Sequence, residues 1–570
     1  MKIVFLSFSY SDDHWAIPLA AGNLKAVLDQ QFSGHQPSVE SRILDRQIAD
    51  DTLVVSNEIF ELAPDLLAIS LYLWNREKTL ELLEALRPAL PKMIVIAGGP
   101  DSEFQDAKIS NLVDFLIRGE GESVLPLFVQ KLLHAEFPEK ELLEEWVANE
   151  RGLLTTKHSC HLEALPSPYL TGTLSLKNRK AVLWELSRGC PFKCSFCYES
   201  RGSDGVRFFP MKRIKAELDA FVSAGIAQIF VLDPTFNAKM ARAKELLKLF
   251  QAKAPDIHFT LELRVEYIDD ELAFLLSQIN CSVQIGLQSS NNKVLGAINR
   301  KMNHDLFQDK ILKLHHSQVI YGFDLIYGLP NDTLKQLNES LDFSLSMVPN
   351  HLNIFRLAAL PGTQIRDEAE TYGIEYMTEA PYLVLENTTF SREEMKQGEK
   401  IAQAVNVLYN KGRGVSWVWI LLDWTGLKAS ELIRNFIDWV QIKALDISKP
   451  ELPSLRAAIM VQAFLMETLT EKTHRTFMSD MVSYFTTISI LHDEGVSPKE
   501  TMFKALDADS ITLPFYYDLE ILIDALEQGT FDPEDLLGTL ELNEPPEQAL
   551  YFYQFRQVEN EVVIKNVLDK

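Results

Sequence analysis

Short apolar runs alternate with amphipathic segments over the first 134 residues of the chain. Four of these runs have the length of buried strands, and the segments between them repeat apolar residues at helical spacing. The predicted strands are residues 2–8, 66–71, 93–97 and 115–117. Strands that alternate with helices in this way favour a doubly wound, Rossmann-like parallel sheet.

The chain changes character directly after each of these predicted strands. Glycine and polar residues gather in four segments, which are residues 7–14, 70–75, 98–100 and 119–122. The carboxyl ends of parallel strands are where such sheets bind ligands. The pattern therefore predicts a ligand-binding edge on the N-terminal domain.

A second alternation of strands and helices begins near residue 176 and continues to about residue 390. Its predicted strands are residues 182–186, 228–232, 257–263, 283–287, 323–326 and 352–357. Six strand-helix units predict a full or partial barrel of parallel strands.

One of these strands alternates strictly between apolar and polar residues. Phe259, Leu261 and Leu263 are expected to face the helices, whereas Glu262 and Arg264 face the opposite side. Further polar residues that can point inward are Glu185, Asp233, Gln284, Gln288, Asp324 and Arg356. Inward polar groups imply a lumen filled by water or ligand. A register error of one residue would exchange the two faces, and this alternative stays open for each strand.

Two further regions flank the second alternation. Residues 135–175 have the pattern of a linker and end in Pro166-Ser167-Pro168. Residues 391–570 are mainly amphipathic helix with a strand-like tail at 550–563.

The formal net charge of the 570-residue chain is −25, with 80 acidic and 55 basic residues. No run rich in Lys and Arg is present, so binding to nucleic acid is disfavoured. No apolar run is long enough to cross a membrane, and the first strand is followed by Asp12 and Asp13 instead of a signal cleavage site. These features predict a cytoplasmic protein.

Three of the five cysteines, Cys190, Cys194 and Cys197, fall within eight residues. Such crowding in a large chain without a secretion signal indicates metal binding instead of disulfide bonds. Three thiolates on one loop can hold a cubane iron-sulfur cluster and leave one iron without a protein ligand. Zinc is the alternative, although a structural zinc site needs a fourth ligand and no Cys or His follows within forty residues.

The segment from Cys190 to Tyr198 resembles the signature of the radical S-adenosylmethionine (SAM) superfamily, CxxxCxxC with an aromatic residue before the last cysteine. Phe196 occupies the aromatic position. The resemblance covers residues 176–390 and implies a four-iron, four-sulfur (4Fe-4S) cluster whose open iron chelates SAM. It also implies reductive cleavage of SAM to methionine and a 5'-deoxyadenosyl radical, which abstracts hydrogen from a substrate.

Later strands resemble the segments with which this superfamily contacts SAM. The matching residues are Asp233, Glu262, Arg264, Gln288, Ser289 and Arg300. The segment around Asp233 lacks the paired glycines that are common at the amine-binding position. Arg264 could instead form a buried ion pair with Glu262 or Asp324.

The N-terminal domain resembles the cobalamin-binding domain that often precedes a radical SAM domain. The matching residues at the strand ends are Ser70, Trp74, Gly98, Gly99, Gly119 and Glu120. Glycines there would allow a corrin to approach the backbone closely. Corrinoid proteins with a histidine cobalt ligand have DxHxxG after the first strand, whereas this chain has His14 followed by Ile17 in place of the glycine. This departure favours cobalamin bound without a protein histidine.

The two resemblances imply an α/β fold in three domains. A doubly wound cobalamin-binding domain (1–134) and a linker (135–175) precede a partial (β/α)6 radical SAM barrel (176–390) and a mainly helical C-terminal domain (391–570). The C-terminal region resembles an uncharacterised extension found in a subset of these proteins.

The function implied is a cobalamin-dependent radical SAM enzyme that transfers a methyl group to an unactivated carbon of an unknown small-molecule or peptide substrate. A flavodoxin or ferredoxin is the expected electron donor. One alternative is rearrangement or ring formation without net methylation, and another is a cobalamin-binding or redox-sensing protein without catalysis. Methylthiotransferases share the catalytic domain but carry three N-terminal cysteines, and residues 1–159 contain none.

Overall fold

The computed structural model describes residues 1–10, 17–34, 38–103, 107–134, 143–146, 151–154, 159–200, 205–449, 452–471, 474–475, 478, 482, 511–515, 551–558 and 561–566. Within these residues two parallel sheets follow one another along the chain, and a group of helices follows the second sheet.

A seven-stranded sheet forms the centre of the N-terminal domain. Its strands are β1 (Lys2–Ser9), β2 (Glu40–Gln47), β3 (Leu66–Ser70), β4 (Ile94–Gly98), β5 (Phe115–Ile117), β6 (Leu143–Trp146) and β7 (Arg151–Leu154). They lie in the order β2-β1-β3-β4-β5-β7-β6, and only the pair β6 and β7 is antiparallel. The predicted doubly wound sheet is confirmed. The prediction missed β2, because this edge strand buries only Leu44 and lacks an apolar run.

Helices cover both faces of this sheet. They are α1 (Leu19–Phe32), α2 (Thr52–Leu62), α3 (Arg76–Ala89), α4 (Ala107–Leu112) and α5 (Gly121–Leu133). Side chains of β1 alternate between two separate cores, with Val4 and Leu6 in one and Ile3 and Phe5 in the other. Each face therefore has an apolar core of its own, as a doubly wound sheet requires.

The region expected to be a linker contributes to this first sheet. Strands β6 and β7 lie within residues 135–175, and β7 pairs in parallel with β5. The sequence pattern missed them because each has only four residues, of which two are acidic in β6 and two are Arg151 and Gly152 in β7. The first sheet therefore extends beyond residue 134, and the predicted boundary has to be moved to include β7.

Six parallel strands form the second sheet, in the order β15-β14-β13-β12-β11-β8. They are β8 (Ala181–Trp184), β11 (Gln228–Val231), β12 (His258–Leu263), β13 (Cys281–Gln288), β14 (Ile320–Tyr327) and β15 (His351–Arg356). Between the first two, β9 (Ser187–Arg188) and β10 (Arg207–Phe208) form a short antiparallel ribbon. All six predicted barrel strands are confirmed, and the sheet has the order expected for a partial barrel.

The predicted faces of the central strand are confirmed. Phe259, Leu261 and Leu263 are buried against the helices, and Glu262 is exposed on the inner face. Arg356 is a correction, because Phe355 takes the inward position on β15. Since side chains alternate along a strand, Arg356 points outward, where its Nε donates to the carbonyl oxygen of Val384 at 2.7 Å.

Helices pack around the outside of this barrel. They are α6 (Met211–Ala224), α7 (Met240–Lys253), α8 (Asp270–Ser277), α9 (Asn292–Ala297), α10 (His304–His316), α11 (Leu334–Leu345) and α12 (Gln364–Asp367). Several begin at a side-chain cap, as where Thr333 Oγ1 accepts the backbone N–H of Gln336. Such caps help to fix where these helices begin.

In the described C-terminal part, a short pair of strands precedes four helices, and three further strands follow the helices. Its elements are β16 (Glu375–Tyr376), β17 (Val384–Glu386), α13 (Arg392–Val405), α14 (Val418–Thr425), α15 (Ala429–Ile442), α16 (Ser454–Thr468), β18 (Ile511–Phe515), β19 (Tyr551–Val558) and β20 (Glu561–Asn566). The predicted helices and strand-like tail are confirmed. Helices α13 to α16 share one apolar core with the barrel. In the described part of the chain, no helix has the length and apolarity needed to span a membrane.

Candidate active site

The three clustered cysteines lie on the loop that the ribbon of β9 and β10 closes. This cysteine loop begins at Gly189, directly after β9, at the carboxyl end of the first barrel strand. Its backbone is held from two sides, since Ser195 N–H donates to Ile298 C=O and Ile365 N–H donates to Ser195 C=O. Asn299 adds a side-chain bond from Nδ2 to the carbonyl oxygen of Lys193 at 3.0 Å.

Cys190 and Cys194 are buried, and Cys197 is half-buried. Among the described residues, no three His, Cys, Asp or Glu side chains converge on one position suited to a metal ion. In a cubane cluster each thiolate binds a different iron, so three cysteines of one loop can hold three irons of a 4Fe-4S cluster and leave the fourth iron open.

Ser195, between the second and third cysteines, supports the same conclusion. It is 2% exposed, and its hydroxyl has no hydrogen-bond partner among the described residues. An unpaired buried hydroxyl costs about 1–3 kcal/mol. A cluster held by the adjacent cysteines would bring sulfur acceptors into this region. The other predicted residue of the motif, Phe196, packs its half-buried ring against the barrel core.

Asp233 follows β11 and binds the segment that leads into the cysteine loop. Its Oδ1 accepts the N–H groups of Leu186 and Ser187 at 2.8 and 2.9 Å, and its Oδ2 accepts Ser187 Oγ–H at 2.6 Å. Burial raises the pKa of this carboxyl to about 6. Both carboxylate oxygens are therefore engaged by the segment that leads into the cysteine loop.

Arg264 follows β12 and contacts the cysteine loop. Its guanidinium lies 3.9 Å from the ring centroid of Phe192 and forms an ion pair with Glu266 at 2.6 Å. The alternative pairing with Glu262 or Asp324 is therefore wrong. Stacking on Phe192 brings a fixed positive charge to the edge of the loop.

Gln288 ends β13 in the left-handed region, with φ of +68°, after an irregularity in the pairing with β14. The residue is 9% exposed, and its Oε1 has no partner among the described residues. A Cβ atom on Gly286 would lie 2.4 Å from Gln288 Nε2, so glycine makes room for the amide. A buried oxygen without a donor fits a position beside a ligand with N–H or O–H groups, and SAM has both.

Ser289, the next residue, turns away from the barrel interior. Its Oγ accepts the N–H of Asn291 at 3.1 Å and lies 3.4 Å from Ser340 Oγ. Its contacts therefore stabilise the start of α9, and the structure brings it to no other predicted site residue.

Arg300 connects the cysteine loop with the end of β13. Nη1 lies 4.0 Å from Cys194 Sγ, and Nη2 donates to the carbonyl oxygen of Gly286 at 2.5 Å. Burial, and then the nearby charge of Arg264, lower the pKa of Arg300. Both arginines of the predicted set therefore lie beside the cysteine loop.

Acidic and amide groups line the inner face of the barrel. Asp324 accepts hydrogen bonds from Gln284 Nε2 at 2.6 Å and Asn353 Nδ2 at 3.0 Å. Although Glu262 is exposed to the lumen, the surrounding barrel partly desolvates its carboxyl. This desolvation, followed by the charges of Asp324 and Glu199, raises the pKa of Glu262 to about 7. The lumen can therefore offer both a hydrogen-bond donor and an acceptor near neutral pH.

The predicted ligand-binding edge of the first sheet is formed by the carboxyl ends of β3, β4 and β5, which are neighbours. The carbonyl oxygen of Ser70 accepts a bond from Asn75 Nδ2, which shapes the first loop. In that loop Trp74 is 47% exposed and stacks on Tyr72 with centroids 4.2 Å apart. An exposed aromatic platform fits the flat face of a corrin.

The glycines of the next two loops serve different purposes. A Cβ atom on Gly99 would lie 2.5 Å from Leu71 C=O, so this glycine is required by the packing of neighbouring loops. A Cβ atom on Gly98 would lie 3.6 Å from Ile117 Cβ, which is an ordinary van der Waals distance, so packing does not require glycine there. Gly119 has φ of +86° and open space around it, which leaves room for a bulky ligand. The His14 segment lies outside the described residues.

Glu120 turns toward the barrel instead of the open edge. Its carboxylate accepts the N–H of Cys160 at 2.6 Å and forms ion pairs with Arg207 and, at 3.5 Å, Arg188. The sequence analysis missed both arginines. Arg188 is adjacent to Gly189 in the cysteine motif, but nothing in the sequence indicates its distant partners.

Sequence families match three parts of the chain. Residues 184–344 match the radical SAM superfamily, and residues 16–129 match the B12 binding domain. Residues 370–449 match a protein family of unknown function (DUF4080), in line with the resemblance to an uncharacterised extension.

Two relatives are similar over 69% of this chain. The cobalamin-dependent radical SAM methyltransferase TokK of Streptomyces tokunonensis is 24% identical over 445 residues. The 2-(S-pantetheinyl)-carbapenam-3-carboxylate methyltransferase of Streptantibioticus cattleyicolor is 24% identical over 443 residues. The matched region spans 63% of the length of each relative.

The fold is similar to that of the cobalamin-dependent SAM radical enzyme OxsB with aqua-cobalamin and SAM bound. The TM-score is 0.58 at 12% identity, and the match covers 85% of this chain and 84% of that one. This likeness shows that the two chains share a fold over most of their length. The chain therefore contains a region that matches the radical SAM superfamily, and a region that matches the B12 binding domain precedes it.

Proposed function

We propose that this protein is a cobalamin-dependent radical SAM methyltransferase that acts on an unactivated carbon. The observation that carries the proposal is the direct contact between the two cofactor regions. Glu120, in the glycine loop at the corrin edge, pairs with Arg188, which lies two residues before Cys190. Two relatives named as methyltransferases support the same reaction class.

The cofactors are a 4Fe-4S cluster, SAM and cobalamin, which when bound supply the electron for SAM cleavage and the transferable methyl group. In this proposal Cys190, Cys194 and Cys197 hold the cluster. Arg300 offers its guanidinium to the SAM carboxylate, and Gln288 offers its unpaired Oε1 to a SAM donor group. Protein side chains therefore fix the position of the sulfonium, while the reactive chemistry belongs to the cofactors.

The substrate is expected to lie in the barrel lumen, where Glu262 and Asp324 offer polar contacts. Phe355 is exposed on the same face and supplies an apolar surface. This mixture suits a small molecule or peptide with both polar and apolar groups. The net charge of −25 gives no reason to expect nucleic acid.

A flavodoxin or ferredoxin is the expected electron donor, because SAM cleavage needs an electron at low potential. A cluster held by thiolates also needs a reducing compartment, which favours the cytoplasm.

The test is anaerobic reconstitution with iron, sulfide and hydroxocobalamin, followed by reduction in the presence of SAM labelled in its methyl group. The proposal expects one cluster and one corrinoid per chain, 5'-deoxyadenosine, and label in a product when a substrate extract is added. Corrinoid retention without SAM cleavage would instead support a binding or sensing protein. A deoxyadenosine-dependent product without label would support rearrangement or ring formation.

Cys194→Ala is the matched loss-of-function variant, and Cys281→Ala is its control. Cys281 is also buried, but it lies on the outer side of β13 among apolar residues. Iron content and 5'-deoxyadenosine formation should be lost in the first variant and kept in the second. Equal SAM cleavage by both variants would contradict the assignment of the cluster.

A further inference from the structure

Two arginines stand directly opposite each other at the base of the cysteine loop. In the ribbon of β9 and β10, Arg188 pairs with Arg207 and Ser187 pairs with Phe208. All three cysteines of the motif lie in the loop that this ribbon closes. Contacts made by the two arginines therefore help to position the base of the cysteine loop.

Both arginines bind carboxylates of the N-terminal domain. Arg188 Nη2 lies 2.6 Å from Glu122 Oε1, and Arg188 Nη1 lies 3.5 Å from Glu120 Oε1. Arg207 pairs with the same Glu120 and also donates to the carbonyl oxygen of Cys160 at 2.9 Å. Glu120 is thus shared by both arginines and accepts the N–H of Cys160 as well.

The carboxylates come from the glycine loop of the predicted corrin edge. Gly119 precedes Glu120 in a left-handed conformation, and Glu122 lies in the first turn of α5. A negative side chain is stabilised at a helix N-terminus. The loop therefore presents two preorganised carboxylates to the barrel.

The pair of Arg188 and Glu122 is shielded from solvent, with side chains that are 13% and 9% exposed. The pair of Arg207 and Glu120 lies nearer the surface, with side chains that are 35% and 21% exposed. Glu185 holds the other side of the Arg188 guanidinium, with Nε 2.7 Å from Oε1. Multivalent ion pairs with little solvent exposure constrain geometry more strongly than isolated surface pairs do.

We propose that Glu120, Glu122, Arg188 and Arg207 form an interdomain clamp that sets the distance between the corrinoid and the cluster. The proposal rests on the proposed function, because it assigns the clamp to the two cofactors named there. The four side chains are positioning residues, since they touch the loops that hold the cofactors instead of the reacting atoms. The clamp reassigns Glu120 from corrinoid binding to the placement of the corrin edge.

The test compares wild type with the Glu120→Gln, Glu122→Gln double variant, both reconstituted with cluster and cobalamin. Glutamine keeps the size of each side chain and removes the charge. In samples reduced to the paramagnetic cluster and cob(II)alamin, electron paramagnetic resonance measures the spin–spin coupling between the two centres. Wild type should have one defined coupling, and the double variant should have a weaker or broadly distributed one at equal cofactor content.

Hydrogen exchange on the same chains gives a second measurement that needs no cofactor. Peptides covering residues 159–161 and 205–209 should exchange about tenfold faster in the double variant. Glu58→Gln is the control, because Glu58 pairs with Arg46 inside the N-terminal domain. This control should leave both the coupling and the exchange of these peptides unchanged.

Unchanged spin–spin coupling in the double variant, with both cofactors bound, would overturn the clamp. Failure of wild type to retain a corrinoid would count against the proposed function, and hydrogen exchange would then decide about the interdomain contact. If the chain does not retain a corrinoid and the double variant exchanges at the same rate as wild type, the clamp is also overturned.

Discussion

Asp233 accepts the hydroxyl of Ser187 at 2.6 Å and, with its other oxygen, two backbone N–H groups of the same segment. Strands β8 and β11 pair up to Trp184 and Val231, and the Asp233 side chain continues this pairing beyond the strand ends. One carboxylate thereby anchors the chain just before the cysteine loop.

We expect Asp233→Ala to weaken retention of the cluster, because it leaves two buried N–H groups without acceptors. The cost is about 2–4 kcal/mol. Iron and sulfide per chain, followed over time with a chelator present, measure the effect. Ser187→Ala removes only one of the three bonds and should have a smaller effect. Normal cluster retention with weakened SAM binding would instead support the amine-binding role predicted from the sequence.

We expect Gln288→Leu to weaken SAM binding about tenfold without loss of stability, because a buried oxygen with no protein partner is replaced by an apolar group. Isothermal titration of the reconstituted protein with SAM gives the affinity, and thermal unfolding of the chain without SAM gives the stability. A variant that is less stable but binds SAM normally would mean that Gln288 is structural. Gln278→Leu is the control, because Gln278 is exposed at the end of α8, before the start of β13.

We expect Trp74→Ala to lose corrinoid while it keeps its iron, because the exposed stack of Trp74 on Tyr72 offers a platform to the corrin. Loss of an aromatic contact of this kind weakens binding by about 1–2 kcal/mol. Corrinoid per chain after gel filtration measures the change. Phe274→Ala removes another exposed ring, on α8 of the barrel, and should retain wild-type corrinoid. Equal retention by both variants would exclude Trp74 from the corrin site.

The buried carboxyl of Asp332 makes stability depend on pH. Burial raises its pKa from 3.8 to about 7 in the folded chain. Between these values the folded state holds a proton that the unfolded state releases. Stability is therefore lost as the pH rises from about 4 to 7, and the loss is complete above pH 7.

We expect Asp332→Asn to be more stable than wild type at pH 8, by about 3 kcal/mol, and equal to it at pH 4. Calorimetric unfolding of both proteins across this pH range measures the difference in their free energies of unfolding and shows whether it grows with pH. Asp309→Asn changes an exposed aspartate on α10 and should follow wild type. A constant difference between Asp332→Asn and wild type at all pH values would contradict this origin.

The sequence by itself determined the two parallel sheets, the alternating faces of β12 and the cysteine motif. Each of these depends on local information, because strand periodicity and ligand spacing lie within a few residues of one another. It also predicted a ligand-binding edge at the ends of β3, β4 and β5, which the structure shows to be neighbouring strands. The sequence did not determine the hydrogen-bond and ion-pair partners of individual polar residues.

Only the tertiary structure decided those partners. Glu120 binds Arg207, which is 87 positions away in the chain, Asp233 binds Ser187, and Arg264 pairs with Glu266. Strand β7 joined the first sheet by pairing with β5, and β6 then paired with β7. Hydrogen bonds and ion pairs between distant segments form where the folded backbone brings their polar groups together. A local pattern of residue types contains no information about which distant residues will become neighbours.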